Sequence, residues 1–132
     1  MTYSVLISEL QKAKRPLFVW GAGMRPYAHK AMELARWYGI PIATTWGAID
    51  LINHDDALMC GGFGTHGTRA ANFAVQNADF ICSLGARLDT KSTGEPAKFA
   101  RAASIIVVDI DSAELAKFAK LGLAVTPICQ DA

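Results

Sequence analysis

Pro16-Leu-Phe-Val-Trp20, followed at once by Gly21-Ala-Gly23, is an unbroken apolar run that stops at a glycine turn, and the rest of the chain is read outward from it. A strand buried on both faces is apolar throughout rather than alternating, and glycines directly after it allow a sharp turn into a helix. The helix follows: from Pro26 to about Tyr38, apolar residues at Ala28, Ala31, Met32 and Ala35 recur at i, i+3, i+4 and i+7, with Gly39 and Pro41 as the stop. Ile40-Pro-Ile-Ala-Thr-Thr45 is predicted as a second strand, with Pro41 tolerable near its start. Helical spacing returns at Ala71, Ala74, Val75 and Ala78, leading into strands at Phe80–Leu84 and Ser104–Asp109. Asp111, with Glu114 three residues on, reads as a capping box for a helix through Leu115, Phe118 and Ala119, and Val125–Cys129 supplies a last strand. An earlier helix around Val5, Leu6 and Leu10 precedes the sheet. Strands alternating with helices predict an α/β chain, a parallel sheet with helices on both faces.

Composition sets the bounds. A chain of 132 residues with 52% hydrophobic residues fits one domain with a full core. Its 13 basic and 12 acidic residues nearly cancel, and no Lys/Arg block tracks a phosphate backbone, so no nucleic acid partner is expected. No apolar stretch reaches bilayer-spanning length, and Glu9 and Gln11 interrupt the only leader-like run, so neither a membrane nor secretion is expected. Cys60, Cys82 and Cys129 form no C-x-x-C pair; a reducing cytoplasm fits best, with Cys82 and Cys129 as small core residues.

Four stretches carry candidate chemistry. Gly21-Ala-Gly23, between strand and helix, matches the start of a dinucleotide fingerprint, in which backbone N–H groups meet phosphate. Pro26 replaces its third glycine and no acid closes the second strand, which disfavours a standard NAD site and leaves a plain tight turn as the equal alternative. Gly61-Gly-Phe-Gly64-Thr65-His66-Gly67-Thr68 is the sharper signal: glycines, a histidine and two hydroxyls precede a helix that Thr68 can cap, either for a polar ligand or as a glycine-rich turn. Gly85-Ala86-Arg87-Leu-Asp89-Thr-Lys91 follows a buried strand at the carboxyl edge, where parallel sheets place ligands, so Arg87 and Lys91 can meet phosphate or pair locally. Asp109 ends another strand on that edge and can accept ribose hydroxyls, whereas Asp111 is explained as a cap. Arg25 and Arg69 read either way, and His54-Asp55-Asp56 reads as a solvated turn rather than a metal cluster.

Together these stretches resemble the central domain of thiamine-diphosphate enzymes of the acetolactate synthase type. The resemblance is carried by RPLFVWGAG at 15–23, GIPIATT at 39–45, GFGTHGTRAAN at 62–72, Ala78-Asp79, LGARLDTKSTG at 84–94 and VVDIDSAEL at 107–115. It spans nearly all of residues 1–132 and implies one Rossmann-like (DHS-like) domain of about six parallel strands. It also implies flanking pyrimidine- and pyrophosphate-binding domains that hold thiamine diphosphate and Mg²⁺ in a parent homo-oligomer; no GDG motif occurs here, so the chain alone is expected to be inactive. The family's central domain binds FAD in acetolactate synthase, and ADP or nothing in relatives. By motif its contacts would fall on Gly21, Gly23, Thr45, Gly64, Thr65, His66, Gly85, Ala86, Arg87, Asp89 and Asp109. Thr65 stands where flavin-binding members commonly have Met, Lys91 stands where Arg is common, and a bulky Trp46 follows the threonines; FAD, ADP and an empty site stay open. A free-standing flavin or nucleotide module is the competing reading. A sirtuin-like deacylase would carry four zinc cysteines and is disfavoured.

Overall fold

The computed structural model describes residues 2–88, 93–94, 98–121 and 125–130. Helix α1 (Thr2–Lys12) leads to β1 (Pro16–Trp20), then α2 (Ala28–Tyr38), β2 (Ile42–Thr44), β3 (Met59–Gly62), α3 (Arg69–Asn77), β4 (Phe80–Leu84), β5 (Ser104–Asp109), α4 (Ser112–Leu121) and β6 (Thr126–Cys129). Short 3₁₀ turns at Ala22–Tyr27 and Trp46–Ala48 follow β1 and β2. The six strands form one sheet in the order β3-β2-β1-β4-β5-β6, and every pairing is parallel.

The apolar runs explain the centre of the sheet. Side chains of one strand alternate between faces, so Leu17 and Val19 point to one side and Phe18 and Trp20 to the other. The first side gathers Ala43, Ile81, Ile105 and Val107 with Ala71 and Val75 of α3 and Leu115 and Phe118 of α4. The second holds two clusters: Trp20 and Ile42 with Met32 and Ala35 of α2, and Phe80, Cys82 and Ile106 with Leu6 and Leu10 of α1. Helices thus cover both faces, with α1 and α2 on one and α3 and α4 on the other. Burial on both sides deprives Cys82 of solvent and pushes its thiol up to about 12.

Four features differ from the sequence-based expectation. The second strand is shorter than 40–45, because Gly39 takes a left-handed φ of +66° and the Ile40 N–H returns to Ala35 O at 2.9 Å, so the helix end uses those residues. An unforeseen strand, β3, lies at the edge beside β2. Cys129 is exposed rather than a core residue, since β6 is an edge strand with only Ile128 buried. The capping box is half formed: Asp111 Oδ1 accepts the Ala113 N–H at 2.9 Å, but the Asp111 N–H goes to Asp109 Oδ1 at 2.9 Å rather than to Glu114. Among the described residues, no helix is long and apolar enough to cross a membrane.

Candidate functional site at the carboxyl edge

Because all strands run parallel, the segments after β1 to β5 emerge on one edge. That edge carries Gly21-Ala-Gly23, Thr45-Trp46, Phe63-Gly64-Thr65-His66, Gly85-Ala86-Arg87 and Asp109-Ile110. The strand order reverses between β1 and β4, the point at which open parallel sheets leave a crevice for ligands. Here the two loops at that point touch. The Gly21 N–H donates to Leu84 O at 3.0 Å and the Gly23 N–H to Gly85 O at 3.2 Å. A Cβ on Gly21 would lie 2.2 Å from Gly85 O, and one on Gly85, which has a φ of +62°, would lie 2.8 Å from Gly23 Cα. Absence of side chains at these glycines is therefore used for backbone against backbone, and the N–H groups of Gly21 and Gly23, read from sequence as phosphate donors, are already engaged.

The loop after β3 is held from within. Asn72, one turn into α3, grips Gly64 twice: Gly64 N–H donates to Asn72 Oδ1 at 2.8 Å, and Asn72 Nδ2 donates to Gly64 O at 3.1 Å. Thr68 caps α3 as expected, accepting the Ala71 N–H at 3.1 Å, and its hydroxyl also donates to Cys60 O at 3.1 Å. Asn72 is a functional residue beyond the candidates named from the sequence; an asparagine inside a helix, directly after a glycine-rich loop, is the signal that marks it. This clamp leaves Thr65 and His66 exposed at the loop tip. His66 packs on Trp46, ring centroids 5.1 Å apart and planes tilted by 47°, and Trp46 remains 61% exposed. A cleft of about 260 Å³ lies below, lined in part by Phe63, Gly64, Thr65, Asn72, Gln76 and Phe99.

On the other half of the edge, Arg87 is exposed, with Nη1 3.4 Å from Glu114 Oε1. Asp109, half-buried at the end of β5, accepts the Asp111 N–H, and Ile110 beside it is 72% exposed. Thr45 donates its N–H to Trp20 O at 2.9 Å, and Ala86 is buried between the loops. Asp89 and Lys91 lie outside the described residues. Arg25 is engaged elsewhere, in a two-pronged pair with Asp50 at 2.9 and 3.0 Å and in a bond to Gly47 O, which holds the Asp50 carboxyl below its usual range. Asp56 accepts the Leu58 N–H and faces Arg36 at 2.7 Å, while His54 and Asp55 are exposed, as a turn requires. Among the described residues, no group of three or more His, Cys, Asp or Glu could hold a metal ion.

The edge thus brings together exposed ring and apolar surface at Trp46, His66 and Ile110, a cation at Arg87, and a carboxylate at Asp109. Residues 4–132 match the family model described as the thiamine pyrophosphate enzyme central domain. The chain is 38% identical over 118 residues to the acetolactate synthase large subunit of Parasynechococcus marenigrum (strain WH8102), covering 88% of this chain and 19% of that protein. It is 40% identical over 105 residues to a probable chloroplastic acetolactate synthase 2 of Oryza sativa subsp. japonica, covering 80% of this chain and 16% of the relative. With acetolactate synthase isozyme 1 large subunit of Escherichia coli (strain K12) the figures are 35% over 116 residues, 88% and 21%. The chain therefore spans about a fifth of the length of the curated relatives it matches.

Proposed function

The chain belongs to the central-domain family of thiamine pyrophosphate enzymes, and from that premise we propose that it is the middle domain of an acetolactate synthase-like enzyme that joins or decarboxylates 2-keto acids, with a nucleotide site at its carboxyl edge. Thiamine diphosphate with Mg²⁺ supplies the carbanion chemistry when bound in flanking domains. The residues described here serve as scaffold and binding surface. The observation that carries the nucleotide reading is the convergence of Arg87, Asp109 with Ile110, and the Trp46–His66 pair on one edge of the sheet. Each suits one part of FAD or ADP: Arg87 a phosphate, Asp109 a ribose hydroxyl, and the exposed rings and Ile110 a flat heterocycle. With the Gly21 and Gly23 donors engaged, side-chain charge rather than a glycine cradle holds the phosphates.

A second reading is favoured by those same engaged donors: a middle domain that is scaffold alone. Calorimetric titration separates the two. The purified chain is titrated with FAD and with ADP, with thiamine diphosphate plus Mg²⁺ as the control, and the stronger titration is repeated on Arg87→Ala and His66→Ala. Binding that Arg87→Ala weakens by about tenfold or more, as removal of a charged hydrogen-bond partner does, supports the site. Uptake of neither nucleotide leaves the scaffold reading, and tight thiamine diphosphate binding would overturn the division of labour.

A further inference from the structure

Arg87 sits between two left-handed residues of the carboxyl edge. Gly85 and Leu88, three residues apart, both take left-handed φ values, +62° and +48°, and Leu88 does so as a buried leucine rather than a glycine. Such a conformation persists only where its surroundings over-determine it. One side of the loop is fixed by Gly23. The other is fixed by α4, where Lys117 Nζ donates to Arg87 O at 2.5 Å and to Glu114 Oε2 at 2.6 Å, while Glu114 Oε1 faces Arg87 Nη1 at 3.4 Å.

Burial within this trio is uneven. The Lys117 and Glu114 side chains keep 26% and 23% of their exposure, whereas Arg87 keeps 71%. Lys117 also lies 5.3 Å from the centroid of the Phe118 ring, so its ammonium is held by a carbonyl, a carboxylate and a ring face. Two cations share one carboxylate, which leaves the trio with surplus positive charge on the exposed member. We propose that Lys117 and Glu114 are positioning residues: they latch the backbone at Arg87 and turn the surplus charge outward, so that the Arg87 guanidinium meets an anionic group of the ligand. This role rests on the nucleotide reading above. It assigns a function to α4 residues that touch no ligand themselves.

The test is a double-mutant cycle read by calorimetric titration with ADP and with FAD, on the chain and on Lys117→Met, Lys117→Arg, Arg87→Ala and Lys117→Met/Arg87→Ala, with a thermal melt of each. Lys117→Met keeps the apolar stem over Phe118 and removes the ammonium. Expected is a loss of about tenfold in affinity for Lys117→Met, partial recovery in Lys117→Arg, which can still donate to a carbonyl and a carboxylate, and no further loss when Lys117→Met is added to Arg87→Ala. A purely structural role would weaken binding equally in both backgrounds, and that result would overturn the proposal. So would wild-type affinity in Lys117→Met. If the unaltered chain takes up neither nucleotide, the nucleotide reading itself fails and takes this role with it, an outcome distinct from binding that ignores Lys117. Should Lys117→Met melt below the working temperature, Glu114→Gln replaces it in the cycle, with loss confined to the Arg87 background as the expected result.

Discussion

Gly21 and Gly39 show how differently two glycines of one chain are used. An added Cβ at Gly21 would strike backbone, Gly85 O at 2.2 Å and Ala86 Cα at 2.4 Å, neither of which can rotate away. At Gly39 nothing lies within 4 Å and only the φ of +66° resists substitution. Gly21→Ala is therefore expected to cost about 2 kcal/mol or more, the scale of forced overpacking, and Gly39→Ala about 1 kcal/mol, the scale of a left-handed alanine. Urea denaturation of the two variants measures both; equal losses would mean that the loops after β1 and β4 do not touch. The sequence places Gly21-Ala-Gly23 correctly between strand and helix but says nothing of what lies opposite, since the partner loop is far along the chain. For the same reason the grip of Lys117 on Arg87 O, thirty residues apart, could not be read from the residues alone, whereas that of Asn72 on Gly64 spans only eight residues and had a local signal.

Elements buried on both faces were the legible ones. β1, β4 and β5 fall where continuous apolar runs put them, because such runs have no other place to go. β3 escaped because two of its four residues are glycine and it lies at the sheet edge, where neither apolar content nor alternation is required. The junction of α1 with the sheet depends on a residue that hydrophobic periodicity does not mark. Asp79, just before β4, accepts the N–H groups of Lys14 at 2.7 Å and Arg15 at 2.8 Å, and these bonds, with Arg15 nearby, hold its carboxyl below the usual range. A carboxyl depressed in the folded state adds stability that is complete above the unfolded value, about 4, and is lost as pH falls through the lower folded value. Asp79→Asn should lower the melting temperature at pH 7 and flatten its decline between about pH 5 and pH 3 relative to the parent. Parallel pH profiles for the two proteins would remove Asp79 from the junction.

At the scale of the whole molecule, the sheet sorts the three cysteines by depth. Cys129 on the outer strand is exposed, Cys60 on the opposite edge is half-buried with burial raising its thiol, and Cys82 lies between helices with its thiol near 12. Alkylation of the native chain followed by mass spectrometry should modify Cys129 first, Cys60 more slowly, and Cys82 only once denaturant opens the sheet. Labelling of Cys82 at the rate of Cys129 would contradict a sheet covered on both faces. The strand order carries a further consequence, for the chain as it is made. The two central strands, β1 and β4, belong to different halves, and Asp79 meets Arg15 across 64 residues. A ribosome delivers β1, β2 and β3 before β4 exists, so the nascent first half waits with one side of its most apolar strand bare of a partner. Until Phe80–Leu84 emerges, that bare side is a docking strip for any other unfinished chain, and the domain is open to wrong pairing in the interval between the synthesis of β3 and that of β4.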